Sequence, residues 1–222
     1  MEKLNNIMRT IILCLLTMMS SIVFQAQNRE PEAKTLLDQV SAKVNSYENM
    51  VLDFKYVLDN SEENIHQETR GDVTLVGDNY LLNILGITRI FDGEKLITIS
   101  PEDEEVTIST QNTTEENTIT PSQLLSFYEE GYNYKMDIIQ NIRGRKIQYI
   151  KLTPIDSDTE IKYVLLGIDT NTKHVYNLIE IGSNATKTTL TINSFKTNQP
   201  LPETLFVFDV SKYNDYFINN LD

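Results

Sequence analysis

The chain has 222 residues, 40% of them hydrophobic, with a formal net charge of −13 and one cysteine. That balance excludes a nucleic-acid binder, because a phosphate backbone would be repelled, and it opposes standing attraction to an anionic bilayer. It also excludes a disulfide framework, so the core must be self-sufficient, as one domain of this size can be.

Residues 1–26 read as a secretory signal peptide. Lys3 and Arg9 precede an apolar run from Thr10 to Phe24, and Ala26 stands near the expected cleavage point. The run is shorter than the ~20 residues of a spanning helix, and Gln25 and Gln27 close it. Cys14 lies within it, behind Ile11, Ile12 and Leu13 rather than a small residue, so no lipid anchor is expected. Cleavage would leave residues 27–222 as a single cysteine-free domain, one charge more negative than the full chain, whose charge favours a soluble monomer.

The first mature element is an amphipathic helix, with Ala33, Leu36, Leu37, Val40, Val44 and Tyr47 on one face and Pro31 in its first turn. One apolar stripe of that kind needs a sheet beneath it. From Val51 the period changes to two. Strands are expected at Val51–Leu58, Gly71–Val76, Tyr80–Leu85, Thr88–Phe91, Lys95–Ser100 and Glu105–Thr110. Gly77-Asp78-Asn79, Asp92-Gly93-Glu94 and Pro101-Glu102-Asp103 supply their turns.

Gln111–Asn117 reads as a polar linker. Thr120-Pro121 followed by Leu124, Leu125, Phe127 and Tyr128, and ended by Gly131, predicts a short capped helix. Strands resume at Tyr132–Gln140, Lys146–Thr153, Glu160–Asp169, His174–Gly182, Thr186–Lys196 and Leu205–Val210. The fold class is therefore α+β. A curved antiparallel sheet of about eleven strands is too wide to lie flat, and it carries one long and one short helix.

Catalytic machinery is not evident, and no enzyme or cofactor is expected. His66 sits in a polar loop and His174 in a turn beside Lys173, so both read as solvated surface residues. No HExxH, CxxC, Gly-x-Ser-x-Gly or Walker pattern occurs. Arg143-Gly144-Arg145-Lys146 reads as a hairpin turn, and Glu102-Asp103-Glu104-Glu105 as a solvated turn rather than a cation site. The sequons at Asn112 and Asn184 are as frequent as chance allows in a chain rich in Asn and Thr.

Apolar surface on both faces of some strands is more informative. Tyr80-Leu81-Leu82-Asn83-Ile84-Leu85 and Leu96-Ile97-Thr98-Ile99 partly lose alternation, so both faces are covered. One face would carry the helix. The other would meet either a core or a cavity able to accept an acyl chain, and periodicity does not separate the two.

Taken in order, several segments resemble the periplasmic outer-membrane lipoprotein carriers of the LolA type. They are the signal peptide, the helix ending in Ser46-Tyr47-Glu48-Asn49, Phe54, Gly71-Asp72-Val73-Thr74-Leu75, and Phe91-Asp92-Gly93-Glu94-Lys95-Leu96. Pro121–Tyr128, Ile168-Asp169-Thr170 and Leu201–Phe208 complete the series. The resemblance implies an unclosed half-barrel with a helical lid over a hydrophobic cavity. Such a carrier takes the acyl chains of lipoproteins, or another lipid, from an inner-membrane transporter to an outer-membrane acceptor. Leu75, Tyr80, Leu82, Phe91 and Leu96 from the sheet, with Leu124, Leu125 and Tyr128 from the lid, are the expected cavity lining. In that family an Arg-Pro pair after the Gly-Asp strand latches the lid; here Gly77-Asp78 stands in its place, leaving Arg70 and Arg89 as substitutes or as surface residues. The alternative is a lipid-binding or lipoprotein-sensing regulatory module of the same shape, which would need a second domain or a partner-facing apolar patch.

Overall fold

From Met50 onward the two-residue period becomes one long, curved sheet. The computed structural model describes residues 30–110 and 120–221, so the expected signal peptide and the polar linker lie outside the described residues. Helix α1 spans Glu30–Val44 and buries Ala33, Leu37 and Val40, three positions of the expected stripe. The strands are β1 Met50–Asn60, β2 Ile65–Val76, β3 Asn79–Ile84, β4 Ile87–Phe91, β5 Lys95–Ser100 and β6 Glu105–Thr110. After the interruption come β7 Tyr132–Ile142, β8 Arg145–Pro154, β9 Ile161–Asp169, β10 Val175–Gly182, β11 Thr186–Thr197 and β12 Phe217–Asn220. They are arranged in the order β12-β6-β5-β4-β3-β2-β1-β11-β10-β9-β8-β7. Among the described residues its outer edges, β7 and β12, do not pair, so the barrel stays open. Register shifts at Asp53/Phe54 and between Met136 and Ile139 mark bulges, which bend strands and strengthen twist.

Among the described residues the sheet has twelve strands, and its departure from the expected set lies at the C-terminus. Leu205–Val210 is not a strand. The segment instead forms turns, with the Leu205 amide donating to the Pro202 carbonyl and the Val207 amide to that of Thr204, and leads into a 3₁₀ helix at Val210–Tyr213, opened by Asp209 accepting from the Ser211 amide. Phe206, Phe208, Tyr213, Tyr216 and Ile218 fold across the outer face of β3–β6, over Ile90, Ile97, Ile99 and Val106. β12 then pairs with β6 in parallel. The second apolar face is thus covered by core, and α1 shares the inner face with the interruption at 120–130.

The β1–β2 hairpin runs on to Asn60 and Ile65, further than expected, so His66 lies in a strand and pairs with Asp59 at 2.6 Å on the outer face. Leu85 leaves the expected strand for a turn with Gly86, at φ 54°, a left-handed position uncommon for leucine. Gly71 is a close approach. A Cβ there would stand 2.5 Å from the Asn83 carbonyl oxygen and 2.6 Å from Phe54 Cζ, because the Phe54 ring lies across its cross-strand partner. Gly71→Ala should therefore destabilise the fold by about 1–3 kcal/mol, visible as a lower urea midpoint. An unchanged midpoint would show that both the ring and the β3 backbone at Asn83 move aside freely.

His174 is not a solvated residue. Its ring stacks on Phe195 with centroids 4.0 Å apart, and Nε2 is 2.7 Å from the Tyr47 hydroxyl. Since Tyr47 follows α1 and His174 ends the β9–β10 turn, the trio clamps the helix exit to the sheet. Burial, and the nearby Lys43 ammonium, hold the imidazole below its ordinary pKa.

Candidate functional site

Strand parity decides what the inner face presents. Met50, Leu52 and Phe54 of β1 stand opposite Leu75, Val73 and Gly71 of β2, and Leu75 and Val73 stand opposite Tyr80 and Leu82 of β3. Tyr80 is opposite Phe91, which is opposite Leu96. On the other arm, Ile150 and Leu152 of β8 face Leu166 and Val164 of β9. Apart from Gly71, these residues share one apolar cluster with Ala33, Leu37 and Val40 of α1. All eight residues expected to line a cavity fall in that cluster: Leu75, Tyr80, Leu125 and Tyr128 buried, and Leu82, Phe91, Leu96 and Leu124 partly buried against it.

The roof is built from residues 120–130. Instead of the expected short α-helix it forms two 3₁₀ turns, Gln123–Leu125 and Phe127–Glu129, because Ser126 between them departs from helical geometry at φ −134°. Runs of 3₁₀ have poorer hydrogen-bond geometry than α-helix. Leu125 and Tyr128, each 1% exposed, plug the interior. Phe127 sits edge-on to both Tyr128 and Tyr132. A hydrogen bond of 2.5 Å from Ser41 to Glu129 ties the roof to α1. Arg70 and Arg89 are both exposed, Arg70 on the outer face and Arg89 opposite Leu82 on the inner one. No hydrogen bond from either to the roof occurs among the described residues.

Two polar groups stand out in this apolar setting. The Tyr128 hydroxyl is buried with no hydrogen-bond partner among the described residues, and burial raises its pKa far above that of an ordinary phenol. Glu180 of β10 lies opposite Thr188 and Val164, on the same face as Leu178, and burial raises its carboxyl pKa. Between α1, the roof and β7 a pocket of about 460 Å3 opens, with Leu37, Ala42 and the Tyr128 ring beside the polar Ser41, Asn45 and Glu129.

Sequence reasoning missed the β7–β11 half of the wall: Tyr132, Tyr134, Met136, Ile150, Leu152, Val164, Leu166 and Ile192. The alternation of Val164, Leu166 and Ile168 was available as a signal. Glu180 carried none, since a glutamate in an alternating strand ordinarily points to water. Among the described residues no group of three or more His, Cys, Asp or Glu is placed to hold a metal, and no helix is long and apolar enough to cross a membrane.

Fold and interior together define a half-barrel protein whose curved sheet encloses an apolar cluster under a thin, non-α roof. Residues 87–209, more than half of the chain, match the family of the outer membrane lipoprotein carrier protein LolA, and the chain belongs to that family. Among curated proteins none matches in sequence. An uncharacterized conserved protein from Thermus thermophilus has a similar structure, with a TM-score of 0.54 at 10% identity, covering 84% of this chain and 98% of that one. A putative outer membrane lipoprotein-sorting protein domain from Vibrio parahaemolyticus gives 0.43 at 10% identity, covering 84% and 97%. A LolA superfamily protein from Nitrosomonas europaea gives 0.43 at 13%, covering 80% and 98%.

Proposed function

We propose that this chain is a periplasmic carrier that shelters the acyl chains of lipoproteins against the inner face of its half-barrel and moves them from an inner-membrane transporter to an outer-membrane acceptor. Residues 1–26 act as a removable export signal and 27–222 as one carrier domain working as a monomer. The observation that supports the reading is the origin of the plug: Leu125 and Tyr128 fill the interior from a segment of two 3₁₀ turns rather than from the sheet itself.

Loading then exchanges like for like. Withdrawing the buried Leu125 and Tyr128 with the half-buried Leu124 and Phe127 exposes apolar side chains worth at most about 1.5–3 kcal/mol each, an upper bound of roughly 6–12 kcal/mol together. A chain of about fourteen methylenes entering their place recovers about 11 kcal/mol at ~0.8 kcal/mol per methylene. The two terms are of one size, so cargo is held and still released. Leu75, Tyr80, Leu82, Phe91 and Leu96 form the wall met by the chain.

The test is mass spectrometry of what co-elutes with the mature protein purified from its native envelope. Acylated polypeptides support the carrier, whereas free lipids alone point to a different cargo and an empty protein counts against the reading. A second check uses Leu82→Glu, which places a charge on the half-buried rim. It should weaken binding of a neutral acyl probe by more than roughly tenfold while circular dichroism stays unchanged. Undiminished binding would remove Leu82 from the wall.

A further inference from the structure

Glu180 does not belong to a wall built for hydrocarbon alone. Its register with Thr188 and Val164 fixes its side chain on the inner face, level with Leu152 one strand further on. Leu58 lies beyond Thr188 in the same row, and Leu178, Leu166 and Leu190 form the next row. The carboxylate is half-buried, and it has no hydrogen bond or ion pair among the described residues. Burial and then Glu180 itself raise the Tyr132 phenol, which places the two groups within electrostatic reach at the mouth of the roofed region. Of the cations that could answer it, Lys162 is exposed in the bulge at the start of β9 and makes no ion pair with it, and Arg89 is five strands away along the sheet.

An unpaired carboxylate taken partly out of water destabilises the empty protein unless a donor arrives to meet it. A phosphate or carboxylate would be repelled, a hydroxyl would answer weakly, and an ammonium would form a charge-assisted hydrogen bond. Position matters as much as charge. A group docked at Glu180 leaves the attached hydrocarbon running along the Leu178 and Leu166 row toward the buried plug.

We infer that Glu180 is a specificity-determining residue, so that the interior takes amphiphiles whose polar end carries a primary ammonium, docked on the Glu180 carboxylate with the acyl chains on the apolar rows beside it. This rests on the carrier reading above. The same ammonium occurs on the free α-amine of a diacylglyceryl-cysteine peptide and on an ethanolamine headgroup.

The experiment is displacement of the neutral reporter N-phenyl-1-naphthylamine from the mature protein by two matched pairs. One pair is a dipalmitoylated cysteinyl peptide with its α-amine free or acetylated. The other is lysophosphatidylethanolamine against lysophosphatidylglycerol of the same chain length. The free-amine member of at least one pair should displace the reporter about tenfold more tightly, and the pair that shows it identifies the source of the ammonium. Glu180→Gln should erase the preference while retaining reporter binding. Equal displacement within both pairs, or a preference that survives Glu180→Gln, overturns the assignment of Glu180 and leaves the carrier reading standing. Failure of the reporter and every competitor to bind would sink both.

Discussion

Tyr128→Phe is expected to slow the loading of an acyl probe by roughly 5- to 150-fold without loss of thermal stability. The Tyr128 hydroxyl is buried in the plug with no partner among the described residues, and an unsatisfied buried group of this kind costs about 1–3 kcal/mol. In the open form the hydroxyl meets water and the penalty disappears. Deleting it therefore stabilises the closed form and leaves the open one without that benefit, and about 1–3 kcal/mol corresponds to the stated range of population. Stopped-flow uptake of a neutral acyl probe measures the rate, and amide exchange over residues 120–130 measures the opening. Uptake as fast as in the unsubstituted protein, with unaltered exchange, would mean that loading does not pass through withdrawal of Tyr128.

Loss of the clamp below α1 is the second large effect. His174→Ala removes a stacked contact with Phe195 and leaves the Tyr47 hydroxyl without its ring nitrogen partner, a combined loss of about 2 kcal/mol from terms of ~0.5–1.5 kcal/mol each. The same residue sets a pH dependence. Its folded pKa lies below the ordinary 6.5, first through burial and then through Lys43, with Asp169 opposing. In the window below 6.5 the unfolded chain therefore binds more protons than the folded one. The contribution is fully present above pH 6.5 and is lost as pH falls from there through the folded pKa. Urea midpoints between about pH 7.5 and 5 should decline for the native chain, and His174→Phe, which keeps a stacked ring and cannot titrate, should flatten that part of the profile. An identical slope in the variant would assign the decline to other groups.

Much of this architecture was legible in the linear chain because the relevant signals are local. Ala33, Leu37 and Val40 recur at helical spacing, and Gly77-Asp78 and Asp92-Gly93 announce hairpins. Leu75, Tyr80, Leu82, Phe91 and Leu96 reach one face because two-residue alternation passes from strand to strand through tight turns. The misreadings have equally physical causes. Leu205–Val210 has a strand-like composition, but Phe206 and Phe208 are spent on the outer face of β3–β6, and apolarity alone does not say which surface it will cover. Residues 120–130 carried helix signals, yet tertiary packing of Leu125 and Tyr128 overrode propensity in so short a segment. Leu85 was read into a strand because a leucine gives no warning of positive φ.

The sequence by itself determined the mixed α and β class of the fold and the sidedness of its early strands, since these follow from periodicity and turn chemistry. Only the tertiary structure decided that α1 and the roof share the inner face while the C-terminal segment seals the outer one. It also decided that His174 is clamped between rings and that Glu180 turns inward. Those facts depend on which elements meet across long stretches of chain, and contact between distant segments leaves no mark on the local pattern of either.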